Sequence, residues 1–357
     1  MTDSHCARFK INARAISPGH PPYVIAEMSG NHNGDIDRAL ALVDMAADRG
    51  ADALKLQTYT ADTLTIDHDG PGFRVEGGLW DGRTLYDLYQ EAATPWDWHA
   101  ALFARGRERG ITVFSSPFDE TAVDFLETLD CPAYKIASFE AMDLPLIRKA
   151  ASTGKPLIVS TGMVTPDEID ELMAALSGMG ADQVALLHCV SAYPAPIEAS
   201  NIRSIPELAA RYDAVVGLSD HTPGTAVAVA AVSLGAAIIE KHVCLARADG
   251  GVDSAFSLEP AELGALVTDS HNAWAALGKA RIGRQSAAEP SAVFRRSLYA
   301  VADIRAGAKL TKDNVRSIRP GYGLAPKHLD TVLGRRAVNN IPRGTPLAWD
   351  LISSAPD

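Results

Sequence analysis

Two lysines stand inside short segments that are otherwise apolar or weakly polar. Lys55 lies in ALKLQT and Lys135 lies in AYKIAS. Burying an ammonium group without a partner is costly, so each of these lysines needs an anion close to it. Serines stand at or near the ends of comparable segments, namely Ser116, Ser138 and Ser160. Cations and hydroxyls in this combination are typical of a receptor for a carboxylate and a phosphate.

Two other interpretations of the lysines stay open. One lysine could form a structural ion pair with Glu27 or Glu240. A lysine could also form a Schiff base, as in aldolases built on the fold that is inferred below. The residue types alone do not exclude either interpretation.

Two histidines close further apolar segments. His221 follows VVGLSD, and His242 ends AIIEKH. If the two segments are neighbouring strands, both imidazoles can point at one centre, which suits a divalent first-row cation with water in its remaining positions. Glu27 ends the segment YVIAE, and Gln57 follows Lys55 by two residues. Both therefore join the polar side chains at the ends of the apolar segments.

Eight short β-rich segments must position these side chains. The strand candidates begin at residues 23, 53, 112, 133, 157, 184, 215 and 237, with amphipathic helical segments between them. This alternation predicts a (β/α)8 TIM barrel, whose active site lies at the C-terminal ends of the strands. An open doubly wound sheet is the alternative, but IAEMSGNHNG after the first strand is not the G-x-G-x-x-G loop of dinucleotide-binding sheets.

Three regions complete the predicted organisation around a barrel of residues 1–278. Residues 59–93 separate the second strand from its helix, and so long a connection predicts a functional loop such as a substrate lid. Residues 279–295 are polar and aperiodic, which predicts a linker. Residues 296–357 carry short strand patterns interrupted by Gly and Pro, which predict a small β-rich domain.

Composition excludes several classes of protein. The formal net charge of −11, with no basic stripe, argues against nucleic acid or anionic lipid as a partner. No apolar run reaches the roughly 18 residues that a membrane span needs, and MTDSHCARFK lacks the apolar stretch of a signal peptide, so we expect a cytoplasmic protein. The 4 cysteines form no C-x-x-C pair, which favours reduced thiols.

The ordered motifs resemble those of one family. The segments IAEMSGNHNGD, ADALKLQTYT, FSSPFD, YKIASFE, STGM, HCVSAYPAP, GLSDHT and IEKH resemble those of the sialic acid synthase family. DIRAGAKLTKDNV and RPGYG resemble its antifreeze-like (SAF) domain. The resemblance covers nearly the whole chain and implies a TIM barrel followed by a small C-terminal SAF domain. It also implies a transferase that condenses phosphoenolpyruvate with an acylamino sugar and releases phosphate by C–O cleavage.

The resemblance also implies roles for individual residues. Positions that bind phosphoenolpyruvate in the family match Lys55, Ser116, Lys135, Ser138 and Ser160, and we add Gln57 to this group. Glu27 matches a glutamate of the catalytic centre, and His221 and His242 match ligands of a divalent metal such as Mn²⁺, Mg²⁺ or Co²⁺. Tyr193 and Asp253 match positions on the sugar side of the site. Arg319 matches an arginine that the small domain presents to a neighbouring subunit, which implies a domain-swapped homodimer.

The sequence of the long loop indicates which sugar the protein uses. GGLWDGRTLYDLYQEAATPWDWH is similar to the corresponding loop of pseudaminic acid synthases. Its aromatic residues, among them Trp80, Tyr86, Tyr89 and Trp96, would form a wall that suits a 6-deoxy sugar, and we assign Trp80 and Tyr86 to sugar binding. The resemblance of this loop implies 2,4-diacetamido-2,4,6-trideoxy-L-altrose as the sugar. Ser191 stands where sialic acid synthases commonly carry asparagine, which weakens an assignment to N-acetylneuraminic acid.

Other functions stay open at this point. A legionaminic or N-acetylneuraminic acid synthase would use the same chemistry with another sugar. A non-catalytic sugar-binding protein is the alternative from a different class, although the dense polar set at the strand ends argues against it.

Overall fold

Eight parallel strands close into a barrel in the computed structural model, which describes residues 9–354. A hairpin of β1 (Lys10–Ile11) and β2 (Arg14–Ala15) precedes the barrel. The barrel strands are β3 (Tyr23–Glu27), β4 (Ala53–Thr58), β5 (Thr112–Pro117), β6 (Tyr134–Ile136), β7 (Leu157–Ser160), β8 (Val184–Cys189), β9 (Val215–Asp220) and β10 (Ile238–His242). Each strand pairs with the next along the chain, and β10 closes the ring against β3. The predicted TIM barrel is therefore confirmed.

Helices cover the outside of the barrel, and several begin at the caps that the sequence indicates. They are α1 (Ile36–Asp48), α2 (Ala61–Leu64), α3 (Leu85–Ala92), α4 (Trp96–Arg109), α5 (Glu120–Glu127), α6 (Leu144–Ala151), α7 (Pro166–Gly178), α8 (Ser204–Tyr212), α9 (Ala226–Ser233) and α10 (Pro260–Leu277). Asp35 caps α1, and Thr165 forms a capping box with Glu168 at α7. Within residues 9–354, no helix combines the length and the apolarity that crossing a membrane requires.

The register of the parallel strands brings polar side chains together at one end. Glu27 is paired with His242 on one side and with Lys55 on the other, and Gln57 is paired with Ser116. Side chains alternate between the two faces of a strand, so Lys55 and Gln57 share a face. The barrel therefore presents residues that are distant in sequence to one mouth.

The long loop of residues 59–93 contains two short helices. α2 follows Thr60 and α3 follows Thr84, whose Oγ1 accepts a hydrogen bond of 3.1 Å from the backbone N of Asp87. Between the two helices, Arg74 and Thr84 form an antiparallel bridge. Two short helices and one bridge therefore give order to the segment that the sequence predicted as a functional loop.

The chain divides into two compact units between Gly278 and Lys279. In the second unit, β11 (Ser297–Ala300) pairs antiparallel with β12 (Val315–Ile318), and a short helix α11 (Leu329–Val332) follows. Its core contains Leu298, Leu310, Val315, Val332, Ile341 and Leu347. The stretch predicted as a linker, residues 279–295, contains two short 3-10 helices, Ser286–Ala288 and Pro290–Phe294.

A buried chain of hydrogen bonds ties α4 to the barrel. His99 on α4 is fully buried, with Nε2 2.8 Å from Oγ1 of Thr58 and Nδ1 3.1 Å from the carbonyl oxygen of Pro95. Thr58 Oγ1 also lies 2.6 Å from Oγ of Ser115. Since only Nδ1 faces a carbonyl, Nδ1–H donates to Pro95 and Nε2 accepts from the Thr58 hydroxyl. Burial lowers the pKa of His99 to about 4.

We expect the free energy of unfolding to fall as the pH is lowered from about 6.5 toward 4. In that range the unfolded chain takes up a proton on His99 that the folded chain does not bind. His99→Gln should make this dependence shallower, by up to roughly 3 kcal/mol at pH 4, since one pKa unit corresponds to about 1.4 kcal/mol. Chemical denaturation at a series of pH values measures the effect. His68→Gln, at an exposed position, is the control, and equal slopes for His99→Gln and wild type would contradict the expectation.

Candidate active site

Four buried charged side chains form an alternating ladder at the mouth of the barrel. Lys55 Nζ lies 2.6 Å from Oε2 of Glu27 and 3.7 Å from Oε1 of Glu240. Lys135 Nζ lies 2.8 Å from the same Oε1 of Glu240. None of the four side chains is more than 5% exposed. Two carboxylates therefore face two ammonium groups, which is the balance that buried charge requires.

Burial and charge pairing act in opposite directions on these groups. Burial alone would raise the pKa of Glu240, but Lys135 and Lys55 outweigh it and lower the pKa to about 2. Burial lowers the pKa of Lys135, whereas for Lys55 the carboxylates of Glu240 and Glu27 outweigh burial and raise the pKa. Both lysines thus form the ion pairs that the sequence left open. An anion entering the site would share these ammonium groups with the two carboxylates.

The three predicted serines lie at the same mouth of the barrel, and their hydroxyls differ in their hydrogen bonds. Ser116 Oγ accepts a hydrogen bond of 3.2 Å from Lys55 Nζ, and Ser138 Oγ accepts one of 3.2 Å from the backbone N of Gly162. Ser160 Oγ is buried and has no hydrogen-bond partner among residues 9–354. A β-carbon at Gly162 would lie 2.5 Å from Oγ of Ser191, so glycine alone permits this close approach. A buried hydroxyl with unused capacity is suited to an incoming oxyanion.

The two histidines meet as predicted from the strand order. The ring centroids of His221 and His242 are 5.3 Å apart, and both residues are buried. His221 Nδ1 lies 2.9 Å from the carbonyl oxygen of Val190, so Nδ1–H donates and Nε2 remains available. His242 Nδ1 is buried without a hydrogen-bond partner in the described part of the chain, 3.4 Å from Oδ2 of Asp253.

This donor set fits a cation that takes two protein ligands. No group of three or more His, Cys, Asp or Glu side chains able to hold a metal ion occurs among residues 9–354. Two imidazoles with nitrogens left unpaired can still hold a divalent cation if water or substrate oxygens fill the remaining positions.

A second hydrogen-bonded chain connects Glu27 with the sugar side of the predicted site. Gln57 Nε2 donates to Oε1 of Glu27 at 2.9 Å and to Oγ of Ser29 at 3.3 Å. The Ser29 hydroxyl donates in turn to Oδ2 of Asp253. Gln57, which we assigned to phosphoenolpyruvate, therefore also contacts the residue that holds Asp253.

The aromatic residues of the long loop do not form one wall. Trp80 Nε1 donates to the carbonyl oxygen of Val252 at 2.8 Å, and its ring centroid lies 5.6 Å from that of Tyr193. Tyr193 in turn lies 4.4 Å, between ring centroids, from His221. By contrast, the Tyr86 hydroxyl donates to Asp62 at 3.2 Å, within the long loop itself. Trp80 is thus placed beside the predicted site.

Tyr89 and Trp96 pack elsewhere. The ring of Tyr89 meets Tyr59 edge to face, with centroids 6.1 Å apart. The ring of Trp96 stacks on Phe125 of α5 at 4.7 Å. These two aromatics therefore help to anchor the loop and α4.

Three polar residues at the mouth were missed by the sequence reasoning. Ser219 Oγ donates to Oε1 of Glu240 at 3.2 Å, and Ser29 bridges Gln57 and Asp253. Glu140 is partly buried, and burial raises its pKa to about 7. Ser219 lies in VVGLSD one residue before the strand ends, and Glu140 lies in YKIASFE beyond its strand end, so attention to these flanking positions would have found both.

Arg319 belongs to the second unit, where it follows β12 with an exposed side chain. The remaining predicted residues all lie in the barrel unit.

Comparison with known proteins identifies the family of the chain. Residues 42–282 match the NeuB family, and residues 295–353 match the SAF domain. The chain is 42% identical over 325 residues to the pseudaminic acid synthase of Campylobacter jejuni strain 81-176, covering 91% of this chain and 95% of the relative. It is 41% identical over 332 residues to the pseudaminic acid synthase of Helicobacter pylori, covering 92% and 97%.

The fold agrees as well. The crystal structure of N-acetylneuraminic acid synthetase from Leptospira borgpetersenii is similar with a TM-score of 0.72 at 29% identity, covering 79% of this chain and 94% of that one. The family match spans most of the chain and the relatives are aligned over nearly their whole length. The chain therefore belongs to the NeuB family and carries a SAF domain at its C-terminal end.

Proposed function

We propose that this protein is a pseudaminic acid synthase, which condenses phosphoenolpyruvate with 2,4-diacetamido-2,4,6-trideoxy-L-altrose to give the nonulosonic acid and phosphate. The observation that carries the proposal is the buried ladder of two lysines and two glutamates beside a pair of facing imidazoles. The lysines of the ladder offer cationic groups for an anion. The imidazoles could hold a cation that binds an aldehyde oxygen at the same mouth of the barrel. The identity with pseudaminic acid synthases supports the choice of sugar.

Phosphoenolpyruvate would occupy the side of the mouth formed by β4 to β7. Lys55 and Lys135 would bind its carboxylate and phosphate through charge-assisted hydrogen bonds, with donor capacity beyond their glutamate partners. Ser160 ends β7, which pairs with the strand that carries Lys135, and its hydroxyl has no hydrogen-bond partner among residues 9–354. This arrangement holds the anion without a covalent step, in contrast to a Schiff-base aldolase.

His221 and His242 would hold a divalent cation such as Mn²⁺, Mg²⁺ or Co²⁺, which supplies Lewis-acid polarisation of the sugar aldehyde when bound. The proposed ligation uses the nitrogens that the protein leaves unpaired, since Nδ1 of His221 is already committed to the Val190 carbonyl.

The reaction then needs few groups from the protein. Carbon 3 of phosphoenolpyruvate attacks the aldehyde carbon, and positive charge develops at carbon 2. Glu27 accepts a proton from the water that adds at carbon 2, and the hemiketal collapses by breaking the bond between carbon 2 and the phosphate oxygen. The aldehyde oxygen takes up a proton from solvent and becomes a hydroxyl group of the product.

The sugar would lie between the imidazoles and the long loop. Trp80 and Tyr193 offer apolar ring faces next to His221, and Asp253 offers a carboxylate on the same side. Ring faces suit the methyl group of a 6-deoxy sugar better than a hydroxylated tail. Tyr86 contributes by fixing the loop through Asp62.

We also propose a domain-swapped homodimer that works in the cytoplasm. Arg319 is exposed on the second unit, and a planar guanidinium suits fixed hydrogen bonds to acetamido or carboxylate oxygens. Charged substrates do not cross a lipid bilayer readily, which favours the compartment where phosphoenolpyruvate is made.

The wild-type protein should release phosphate from phosphoenolpyruvate with the 6-deoxy diacetamido sugar in preference to the legionaminic acid precursor and N-acetylmannosamine. Trp80→Ala should raise KM for the preferred sugar about tenfold, equivalent to about 1.4 kcal/mol, and leave KM for phosphoenolpyruvate nearly unchanged, because the ring packs against Tyr193 on the sugar side. A phosphate-release assay measures both.

Three results would contradict the proposal. A preference for N-acetylmannosamine would show that the sugar is wrongly assigned. Phosphate-free condensation with pyruvate, trapped by borohydride, would favour an aldolase. Sugar binding without any turnover would favour a sugar-binding protein.

Turnover should also depend on a divalent cation. Chelation should abolish activity, addition of Mn²⁺, Co²⁺ or Mg²⁺ should restore it, and His221→Ala should reduce both cation binding, measured by calorimetry, and activity by at least about 100-fold. His20→Ala, an exposed histidine near the β1–β2 hairpin, is the matched control. Full activity of metal-free His221→Ala would rule out the cation site.

Mixed dimers test the proposed role of Arg319. Arg319→Ala and His221→Ala homodimers should both be nearly inactive, whereas co-expressed mixed dimers should regain activity. One of the two sites in a mixed dimer would receive an intact barrel from one chain and an intact arginine from the other. The readout is phosphate release by purified dimers of confirmed composition. A monomer in solution, or no recovery in such dimers, would contradict the swap.

A further inference from the structure

One residue of the barrel mouth adopts a backbone conformation that its type disfavours. Six non-glycine residues with positive φ occur within residues 9–354, and five of them are Asn or Asp. The exception is Ser29, with φ 47°. Asn and Asp tolerate the left-handed region better than other side chains, and glycine adopts it without cost. Ser29 therefore holds a strained position that glycine would fill more easily.

Strain of this kind is retained where the side chain has another use. Ser29 follows β3 by two residues and is only 4% exposed. Its hydroxyl accepts a hydrogen bond from Gln57 Nε2 at 3.3 Å and donates one to Oδ2 of Asp253. Because Gln57 also donates to Glu27, the hydroxyl links the charged ladder to a carboxylate on a different loop.

The hydrogen bond from Ser29 fixes one carboxylate oxygen of Asp253. Oδ2 receives the Ser29 hydroxyl and faces His242 Nδ1 at 3.4 Å. Asp253 is 8% exposed, on a loop whose Val252 carbonyl accepts from Trp80. With Oδ2 held in this way, Oδ1 would be the oxygen that accepts from a hydroxyl or amide N–H of the sugar.

We propose that Ser29 is a positioning residue for the sugar, acting by orienting the carboxylate of Asp253. This inference rests on the proposed function, since it assigns Asp253 to the sugar substrate. If this position served only the backbone turn, glycine would be expected there, because glycine forms the same turn with less strain. The serine hydroxyl therefore needs another explanation.

A pair of substitutions separates the hydroxyl from the backbone. Ser29→Gly and Ser29→Ala both remove the hydroxyl, but only Ser29→Gly also removes the β-carbon from the left-handed position. Both variants should raise KM for the sugar about tenfold and leave KM for phosphoenolpyruvate within about twofold, since a hydrogen bond to a charged group is lost on the sugar side. The melting temperature should be higher for Ser29→Gly than for Ser29→Ala.

A matched pair provides the control. Asp130 has φ 56°, is exposed, and lies between α5 and β6 at the other end of the barrel. Asp130→Gly should likewise melt above Asp130→Ala, with wild-type KM for both substrates in each variant.

The outcomes distinguish the inference from the function on which it rests. Wild-type KM for the sugar in Ser29→Gly would overturn the role of Ser29 while leaving the synthase activity intact. Equal increases in both KM values would also overturn it, because they would indicate general damage to the site. If the wild type released phosphate with none of the three sugars, the proposed function would be overturned, and the role of Ser29 with it.

Discussion

Pairing of buried charge inside the barrel is the constraint on which the rest of the site depends. The four charged groups of the ladder come from β3, β4, β6 and β10, and an unpaired member would carry a large desolvation penalty. The ladder forms only if these strands keep their register, since a shift of one residue would turn Lys55 to the outer face. Gln57 then donates to Oε1 of Glu27, the oxygen that Lys55 leaves free. Ser219 donates to Oε1 of Glu240, which both lysines also face, and Oε2 of Glu240 has no hydrogen-bond partner among residues 9–354.

Much of this arrangement could be predicted from the sequence because it follows from periodicity and position. The eight strands were identified by their apolar character, and strand order alone placed His221 beside His242. Lys55 and Lys135 were singled out because a lysine inside an apolar segment needs a partner. The ion pairs with Glu27 and Glu240, which the sequence offered as an alternative to anion binding, are present in the structure. An ammonium group has three donors, so these pairs leave capacity for a further acceptor.

The parts that could not be predicted depend on how loops fold against the barrel. Trp80 and Tyr86 are close in sequence and similar in chemistry, yet the ring of Trp80 lies beside Tyr193 whereas the Tyr86 hydroxyl donates to Asp62. Ser29 gave no signal, since its backbone angle is set by tertiary contacts and its partner Asp253 lies 224 residues away. Glu140 stands at a position beyond its strand end that could have been noticed, but the burial that raises its pKa is not revealed by a strand pattern.

The balance of charge in the ladder has a consequence for the rate at which an anion reaches the barrel. Two ammonium groups and two carboxylates nearly cancel at a distance, while the chain as a whole carries a formal net charge of −11. An anionic substrate therefore approaches through a repulsive field and is attracted only at close range. Dissolved salt screens that repulsion beyond a Debye length of about 8 Å at physiological ionic strength. Encounter is thus favoured by salt, the reverse of the electrostatic steering found in enzymes whose clefts carry charge opposite to the substrate.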